Sequence, residues 1–479
     1  MAGFIGRDRE LSVLNRRYDT GDFECVIVYG RRRVGKTTLI NQFVGAHSSH
    51  SDSRPEHRQA IFFSALEASE ARNLEELSRA IALFVNGNDG LDSFPIYPSF
   101  AAAVEAIFAL AEQERVVLVI DEYPYLAKAD RSVSSVLQHA IDRHKDSSHL
   151  MVILCGSSMS FMERQVLGYQ SPLYGRRTAQ IKVEPFGFAD VQTFLSHYSA
   201  QDALASYSLT DGIPQYLRQI DDTIGIQENI ERNMFDPGCY LFEEPDNLLK
   251  QELRNPMEYN GIIQAIASGA SRMSEISTAV HLDSSACSTY IRNLIDLDLV
   301  HREIPFGQKN SRKAIYRLAD SFFRFWYRFV PPNMSLIQSG HVDLAARRTM
   351  SQLPAFLGPV FEDVCLEWLW RHNGGDVLPF LMLESGRWWG ADPHTRRQEE
   401  IDIMATGEDP DVALFGECKW KNARVGMEDL KTLRRQSQIF RYERNEYYLF
   451  SKSGFTDDLL RVAETDPTVH TVAFDDMTW

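Results

Sequence analysis

The sequence predicts an α/β protein of several domains, and three observations lead to this prediction. A strand-like segment, a glycine-containing turn and a helix start follow one another over residues 25–43. A second apolar segment, residues 116–122, ends in two carboxylates. Near the C-terminus, acidic residues stand in two further strand-like segments, 398–404 and 412–420. Strands that alternate with helices in this way are typical of a parallel sheet covered on both faces.

Length and composition describe an ordinary globular protein of two to four domains. The chain has 479 residues and a formal net charge of −16, so any contact with nucleic acid must come from local basic patches. No apolar run reaches transmembrane length, and the N-terminus lacks the order of a signal peptide. We therefore expect a cytoplasmic protein without a membrane partner. The cysteines form no C-x-x-C pair, which argues against a zinc site and a disulfide scaffold; they are Cys25, Cys155, Cys239, Cys287, Cys365 and Cys418.

The turn at residues 30–37 has the spacing of a phosphate-binding loop, or P-loop. Its glycines let backbone N–H groups turn toward phosphates, Lys36 reaches the β- and γ-phosphates, and the Thr37 hydroxyl can ligate Mg²⁺. The alternative is a glycine turn before a basic helix start, but the flanking strand and helix are the context that the motif requires. The predicted nucleotide-binding residues of this loop are Gly30, Arg31, Arg32, Arg33, Val34, Gly35, Lys36, Thr37 and Thr38.

The apolar segment 116–122 predicts a strand buried on both faces that carries catalytic acids at its carboxyl end. Ligands of parallel sheets bind outside this end of the strands. Asp121 is expected to hold Mg²⁺ directly or through water, and Glu122 to orient and polarise the water that attacks the γ-phosphate. Taken alone, Asp-Glu after a strand is also ordinary turn chemistry, but its place 84 residues after Thr37 in an alternating strand and helix order favours the catalytic interpretation.

Polar and basic residues follow the next two predicted strands. Ser157 or Ser158, after the strand 150–155, either senses the γ-phosphate or forms a polar turn. Arg176 or Arg177 either acts as an arginine finger in a neighbouring subunit's nucleotide site or belongs to a solvated basic turn. Ser157 and Arg177 complete the predicted nucleotide-binding set, and the finger hypothesis implies a homo-oligomer.

Six segments resemble, in this order, the archaeal and bacterial ATPase family within the wider AAA and STAND class. They are FIGRDREL, GRRRVGKTTL, VLVIDEYPYL, ILCGSS, LYGRR and DGIPQYL. The resemblance implies ATP binding and hydrolysis on a parallel sheet, a polar sensor at Ser157 or Ser158, and a helical lid whose turn Gly212-Ile213-Pro214 lies near the nucleotide. We assign residues 1–200 to a P-loop ATPase domain and 201–257 to the helical lid and connector. The opening segment, with apolar residues at helical spacing, is either an element beside the adenine or only an amphipathic first helix.

Residues 258–320 predict a winged helix-turn-helix. Three short helical patterns precede two strand-like segments, which is a DNA-binding layout. Residues 259–318 carry seven Lys or Arg and five Asp or Glu, a small positive excess in an acidic chain. Lys309, Arg312, Lys313 and Arg317 are candidates for phosphate contacts. The alternative is a protein-contact domain, because the third helix carries only Arg292 as a basic residue.

The aromatic segment 321–329 follows this module. Its aromatic side chains are too dense to remain exposed, so we expect a buried connecting helix that ends at Pro331-Pro332. The alternative is an aromatic strip, interleaved with arginines, that stacks on bases.

The last predicted domain, 321–479, carries a second group of charged residues. If the strands 398–404 and 412–420 form a hairpin centred near Asp409-Pro410, Asp402 stands opposite Glu417. Alternation places Lys419 on the same face as Glu417. Two carboxylates can hold Mg²⁺, and the lysine can orient or help to activate a water.

This order of residues resembles the PD-(D/E)XK nuclease superfamily, which implies an α/β restriction-endonuclease-like domain. By position, Glu362 on the predicted helix 359–371 is the carboxylate that supports the metal site, Asp402 and Glu417 are the metal ligands, and Lys419 is the catalytic lysine. Ile401-Asp402 replaces the usual Pro-Asp pair. The alternative is a salt-bridged hairpin without catalytic use.

The functional hypothesis is a cytoplasmic ATPase that binds DNA, in the first place duplex DNA, and carries a metal-dependent nuclease domain. ATP binding or turnover would control the engagement or cutting of DNA, with ATP and Mg²⁺ as cofactors. Two alternatives remain: a nucleotide-driven regulatory switch whose C-terminal domain binds without cutting, and a DNA-binding regulator that acts through the winged helix.

Overall fold

The computed structural model describes residues 4–45, 58–87, 94–253, 255–309, 313–393 and 395–479. The chain divides into two compact units, Met1–Pro185 with Ile213–Gln215 and Phe186–Gly212 with Tyr216–Trp479. In the described part of the chain, every helix is too short or too polar to cross a membrane.

The first unit is a five-stranded parallel sheet with helices packed against it. The strand order is β2-β3-β4-β1-β5, and all four neighbouring pairs are parallel. Its elements are α1 (Asp8–Tyr18), β1 (Glu24–Tyr29), α2 (Lys36–Val44), β2 (Ala60–Ser64), α3 (Glu70–Asn86), α4 (Phe100–Leu110), β3 (Val116–Asp121), α5 (Tyr123–Ala129), α6 (Val133–His144), β4 (Leu150–Gly156), α7 (Met159–Phe161) and β5 (Ala179–Lys182).

The three central strands explain why this sheet forms. Every residue of β1, β3 and β4 is buried, as expected for strands covered on both faces. Side chains that alternate along these strands belong to two separate hydrophobic clusters, one on each face of the sheet. The predicted parallel sheet is therefore confirmed. Because β4 lies between β1 and β3, the residues after these three strands meet at one edge.

The second unit contains helices followed by a mixed sheet. Its elements, with the short helix at the boundary between the units, are α8 (Phe188–Phe194), α9 (Ala200–Thr210), α10 (Pro214–Leu217), α11 (Ile226–Asn229), α12 (Glu244–Glu252), α13 (Pro256–Ala267), α14 (Met273–Ala279), α15 (Ser284–Asp296), β6 (Val300–Glu303), β7 (Ile315–Leu318), α16 (Ser321–Gln338), α17 (Val342–Arg371), β8 (Glu384–Ala391), β9 (Gln398–Thr406), β10 (Val412–Lys419), α18 (Met427–Ser437), β11 (Arg444–Ser451), α19 (Asp457–Thr465) and β12 (Val469–Ala473).

Helices α13, α14 and α15 precede an antiparallel pair formed by β6 and β7. Asp283 caps α15, since its carboxylate accepts from the backbone N–H groups of Ser285 and Ala286. The register joins Val300 to Leu318 and Glu303 to Ile315. Arg312, one of the predicted phosphate contacts, lies outside the described residues.

The aromatic segment is a buried helix, as predicted, but its predicted end is wrong. Helix α16 continues through Pro331 and Pro332 to Gln338. Pro331 has no N–H to give to the carbonyl of Tyr327, which accepts instead from Gln264 Nε2 of α13 at 3.4 Å. The next helix likewise begins at Val342 rather than Pro359, and both Pro354 and Pro359 lie inside it.

The C-terminal sheet has the order β12-β11-β10-β9-β8. Strands β8, β9 and β10 are antiparallel, whereas β10, β11 and β12 are parallel. The register joins Gly416 to Ile403, so Glu417 and Asp402 occupy the next opposed positions, as the hairpin argument predicts. Helix α17 packs on one face of the sheet and α18 on the other.

Candidate functional site

The glycines of the predicted P-loop occupy backbone conformations in which other residues would be strained. Gly30 follows β1 with φ +153°, and a Cβ atom there would lie 2.3 Å from the backbone oxygen of Val183. Gly35 precedes α2 with φ +91°, and a Cβ atom on it would lie 4.0 Å from Cγ of Pro214. The loop therefore requires its first glycine for close backbone approach and its second for the left-handed turn into the helix. Pro214, from the turn predicted to lie near the nucleotide, is close to this loop.

Lys36 and Thr37 are the first two residues of α2. The Lys36 ammonium is buried and donates to the carbonyl oxygens of Gly30 at 2.9 Å and Arg31 at 2.7 Å. Burial lowers its pKa, while nearby Asp121 and Glu122 act in the opposite direction. The Thr37 hydroxyl donates to Oδ2 of Asp121 at 2.8 Å. The two side chains predicted to hold Mg²⁺ in this unit are therefore in contact, directly beside the lysine.

Glu122 is joined to the end of the neighbouring strand β4. Its Oε2 accepts from the Ser157 hydroxyl at 3.0 Å and from the Ser157 backbone N–H at 3.4 Å. Glu122 has φ +51°, a conformation that is uncommon outside glycine. Of the two serines considered as sensors, Ser157 contacts the catalytic candidate, whereas Ser158 is the residue before α7.

The remaining residues of the predicted loop are held by contacts within the first unit. Arg32 Nη2 donates to the Tyr125 hydroxyl at 3.2 Å. Arg7, from the opening segment, donates to the carbonyl oxygen of Val34 at 3.0 Å. The other loop positions differ in exposure: Arg31 is buried, Arg33 is half-buried with φ +72°, and Thr38 is exposed.

The two arginines considered as fingers lie away from this loop. Arg176 pairs with Asp142 at 2.8 Å, and Arg177 Nη1 donates to the carbonyl oxygen of Leu167 at 3.2 Å. Both precede β5, which is parallel to β1 and begins with Ala179 beside Val26. Arg177 therefore lies toward the opposite end of these strands from the P-loop, which argues against contact with this chain's own nucleotide. A contribution to a neighbouring subunit's site stays a prediction.

A second group of charged side chains lies in the C-terminal sheet and on α17. Asp402 of β9 accepts from the backbone N–H of Cys418 through Oδ2 at 2.8 Å. In β10, Lys419 Nζ is paired with Oε1 of Glu417. Glu362 of α17 is paired with Arg387 Nη2 of β8 at 2.7 Å. We call Glu362, Asp402, Glu417 and Lys419 the acidic centre.

The pKa shifts of the acidic centre have burial as their first cause. Burial, with the backbone N–H of Cys418 and Lys419 acting against it, raises the pKa of Asp402. Burial and then the charge of Asp402 raise the pKa of Glu417 to about 7 and that of Glu362 to about 9. The effect of Asp402 on both glutamates shows that the three carboxylates share one electrostatic environment. Their mutual repulsion would be relieved by a bound cation.

The donor set limits how a metal ion can bind. Among the residues that the structure describes, no three His, Cys, Asp or Glu side chains are arranged to hold one metal ion. Asp402 and Glu417 supply hard oxygen donors, which suit Mg²⁺ with water in its remaining positions. Glu362, predicted to support the metal site, is instead paired with Arg387, so the set fits an ion bound through two carboxylates. At the P-loop, Thr37 and Asp121 form a donor pair of the same hard character.

Several residues of these sites were missed by sequence reasoning. Arg387 lies in strand β8 without any motif around it, and Arg317 of β7 was predicted at the wing but not as a neighbour of the acidic centre. Arg317, predicted as a phosphate contact on the wing, lies 3.6 Å from Glu303 and acts to lower the pKa of Glu362. It therefore faces the acidic centre. Arg7 could have been found, because the segment around it was already a candidate neighbour of the nucleotide.

The parallel sheet, the P-loop and the acids beside it define a P-loop ATPase fold. The Walker-type ATPase PABY2304 of Pyrococcus abyssi shares this fold with a TM-score of 0.51 and 20% identity, covering 68% of this chain and 96% of that protein. A family model described as an ATPase domain predominantly from Archaea matches residues 4–220. A second model, described as archaeal and bacterial proteins of unknown function, matches residues 326–432.

Two proteins with similar sequences establish the family of this chain. An uncharacterized protein of Methanocaldococcus jannaschii is 31% identical over 422 residues, which are 88% of each chain. An uncharacterized ATP-binding protein of the same organism is 46% identical over 41 residues, 9% of this chain and 70% of that protein. The chain belongs to the family of ATPases found predominantly in Archaea. This membership supports ATPase activity.

Proposed function

We propose that the protein hydrolyses ATP at the P-loop and cuts DNA at the acidic centre in a Mg²⁺-dependent reaction. The observation that carries this proposal is the presence of two charged centres, one at the carboxyl ends of parallel strands and one formed by neighbouring strands of the C-terminal sheet. In one, Thr37 contacts Asp121 next to Lys36. In the other, Asp402 and Glu417 occupy opposed positions in β9 and β10.

At the P-loop, each side chain has a role that its position supports. Lys36 would bind the β- and γ-phosphates in place of its two backbone carbonyl partners. Glu122 would orient the attacking water and accept its proton, and Ser157 holds the Glu122 carboxylate in place. Mg²⁺, when bound at either centre, supplies electrostatic stabilisation of charge on phosphate oxygens.

At the acidic centre, the residues suit hydrolysis of a phosphodiester. Asp402 and Glu417 would hold the metal ion, and Lys419 would orient the attacking water or stabilise the developing negative charge. Lys419 is about one-third exposed, whereas Glu417 is mostly buried, so the ammonium faces the side from which a substrate can enter. These roles follow those of the nuclease superfamily that the motif resembles.

We further propose that α13 to β7 form a winged helix-turn-helix that binds duplex DNA. Described residues on both sides of its hairpin loop contact strand β8, since Phe306 N–H donates to the Arg387 carbonyl at 2.8 Å and Trp389 Nε1 donates to the Lys313 carbonyl at 3.2 Å. DNA bound at the exposed Lys309 and Lys313 would therefore lie near the acidic centre. The four-domain division at 1–200, 201–257, 258–320 and 321–479 belongs to this proposal, as does cytoplasmic localisation.

We also propose that the ATP state controls the engagement or cutting of DNA. A second candidate function is a nucleotide-driven switch whose C-terminal domain binds without cutting. One observation favours it: Glu362 is paired with Arg387, so only two carboxylates remain for a metal ion. Calorimetric titration of Mg²⁺ and Mn²⁺ into the full chain distinguishes the two functions, because a non-cutting switch has no need of the ion at Asp402 and Glu417.

The proposal is tested with full-length protein and two variants. Lys36→Ala is expected to abolish ATP hydrolysis, and Lys419→Ala to abolish Mg²⁺- or Mn²⁺-dependent cleavage of supercoiled, linear or single-stranded DNA while ATP hydrolysis persists. Cleavage by each protein with ATP, with ADP and without nucleotide tests control by the ATP state. Lys421→Ala is the matched control, since Lys421 lies two residues beyond Lys419 and is an exposed lysine paired with Asp429. The proposed nuclease activity is rejected if wild type cleaves no form of DNA, or if Lys419→Ala cleaves DNA as fast as wild type.

A further inference from the structure

A cleft of about 460 Å³ lies beside the acidic centre in the second unit. It is lined by the end of α13 and the residues that follow it, the hairpin strand β7, helices α16 and α17, and strands β8 and β9. Its charged lining residues are Arg317, Arg324, Arg328, Arg387, Glu362 and Glu400. We call it the arginine cleft.

The arginine cleft has more cationic than anionic side chains. Four guanidinium groups face two carboxylates, in a chain whose net charge is −16. Arg387 is paired with Glu362 at 2.7 Å and also with Asp363 at 3.1 Å, and Arg317 lies 3.6 Å from Glu303. Ion pairs within 4 Å thus engage Arg387 and Arg317 among the described residues. Arg324 interacts with Asp363 and Glu362 only at longer range, so the guanidinium groups on the α16 side are the ones that no described residue holds in an ion pair.

Arg324 supplies an independent observation. Its Nε atom is buried and has no hydrogen-bond partner among the described residues, although a buried donor normally finds one. Its guanidinium lies 5.2 Å from the centre of the Phe356 ring, which fixes the side chain against α17. Arg328, one helical turn further along α16, is exposed and also lines the cleft. The exposed Arg328 guanidinium can therefore donate to a ligand in the cleft, and Arg324 keeps one donor that the described residues leave unsatisfied.

The chemistry of the cleft selects phosphate esters. Guanidinium groups donate two parallel hydrogen bonds to phosphate oxygens, and several arginines that converge on one cleft favour an anion with several acceptor oxygens. Glu362 is shared by the cleft and the acidic centre, so a phosphate held by the arginines lies next to Asp402 and Glu417. Arg387 could transfer from Glu362 to such a phosphate.

We propose that the arginine cleft binds a phosphodiester group of a DNA strand and holds that strand beside Asp402, Glu417 and Lys419. This inference rests on the proposed nuclease function and adds the residues that position its substrate. Arg324 and Arg328 are the phosphate-binding residues on α16, and Arg317 extends the contact toward the hairpin. The same strand can then contact the hairpin lysines and the acidic centre.

The test is binding of a fluorescent duplex oligonucleotide to the full chain without divalent metal, followed by anisotropy at several salt concentrations. Arg328→Gln and Arg324→Gln are each expected to weaken binding about fivefold or more and to reduce the slope of log K against log salt by about 0.9. Arg347→Gln is the matched control, because Arg347 is an exposed arginine of α17 outside the cleft. Should Arg324→Gln fail to fold, the exposed Arg328→Gln and the charge-conserving Arg324→Lys complete the test.

Two results would overturn the inference. One is unchanged affinity and salt dependence in the arginine variants that fold. The other is binding of inorganic pyrophosphate without binding of the oligonucleotide, which would mean a small phosphate ligand. Loss of binding in Arg328→Gln with no cleavage by wild type would support the cleft and reject the nuclease, whereas cleavage with no effect of Arg328→Gln would do the reverse.

Discussion

The Ser157 hydroxyl donates a hydrogen bond of 3.0 Å to Oε2 of Glu122, although 35 residues separate them in the chain. This contact joins the ends of two neighbouring strands at the edge where the P-loop lies. It also gives the Glu122 carboxylate, whose backbone has φ +51°, a fixed orientation.

Ser157→Ala is therefore expected to lower kcat for ATP hydrolysis by about tenfold, with a smaller change in KM. The reason is that a hydrogen bond of about 1 to 1.5 kcal/mol would no longer position the carboxylate that orients water. Steady-state phosphate release measures this, Ser157→Thr should restore most of kcat, and Ser158→Ala is the control. An equal loss in Ser158→Ala would contradict the assignment.

Arg7→Ala is expected to weaken ATP binding by about threefold to tenfold. The Arg7 guanidinium holds the Val34 carbonyl at 3.0 Å, and a hydrogen bond from a charged group contributes about 1 kcal/mol or more to loop geometry. Fluorescent nucleotide titration measures the affinity. Arg9→Ala, at an exposed position of α1 two residues after Arg7, should bind like wild type. Weaker binding by both variants would mean that overall positive charge, not the contact with Val34, affects nucleotide affinity.

Gly30→Ala is expected to destabilise the first unit by about 3 kcal/mol or more, because its Cβ would lie 2.3 Å from the Val183 oxygen. Gly21→Ala, where φ is +74° but no atom lies within 4 Å, should cost about 1 kcal/mol. All seven tryptophans lie beyond residue 325, so their fluorescence follows the second unit alone. Gly30→Ala should lower the unfolding midpoint seen by far-ultraviolet circular dichroism and leave the tryptophan transition unchanged.

Asp402→Asn is expected to reduce DNA cleavage by about a hundredfold or more and to remove calorimetric binding of Mn²⁺ at the acidic centre. The asparagine carbonyl can still accept from Cys418 N–H, so the sheet should keep its stability. Glu408→Gln, an exposed acid on the turn between β9 and β10, is the control for net charge. Equal cleavage by Asp402→Asn and wild type would exclude Asp402 as a ligand.

Glu367→Gln is expected to make the second unit more stable than wild type at alkaline pH. Both carboxylate oxygens of Glu367 accept from Phe188 N–H at 3.1 Å. The pKa of this carboxyl is nevertheless raised, and burial is the largest cause of the shift. A raised pKa means that the contribution of Glu367 is complete at acid pH and is lost as pH rises through the folded-state pKa.

The stability difference between Glu367→Gln and wild type should therefore grow with pH and shrink toward acid pH. Denaturant unfolding followed by tryptophan fluorescence between pH 5 and 9 measures it. Glu443→Gln, at an exposed position, should show no such trend. A pH-independent difference would mean that Glu367 does not titrate in this range.

Local signals explain which parts of the fold could be predicted from the sequence. The central strands β1, β3 and β4 are continuous apolar runs, because both faces of a parallel sheet are covered. The P-loop has a fixed spacing, and the opposition of Asp402 and Glu417 follows from the length of one hairpin. Each of these features depends on residues that are close in sequence.

Contacts between distant segments explain what could not be predicted. The pairing of Glu362 with Arg387 joins α17 to β8, and the arginine cleft combines β7, α16, α17, β8 and β9. No spacing rule relates such segments. The end of α16 was misplaced for the same reason, since the group that satisfies the Tyr327 carbonyl comes from Gln264, 63 residues earlier.

The two adjacent prolines of α16 have a mechanical consequence. In an uninterrupted helix the Tyr327 carbonyl would accept a backbone hydrogen bond from residue 331. Here residue 331 is a proline, and the carbonyl accepts from the side chain of Gln264 on α13 instead. This hydrogen bond joins α16, which carries Arg324 and Arg328, to α13, the first helix of the proposed DNA-binding module. A change in the orientation of α13 when duplex DNA binds would therefore also move Arg324 and Arg328 on α16.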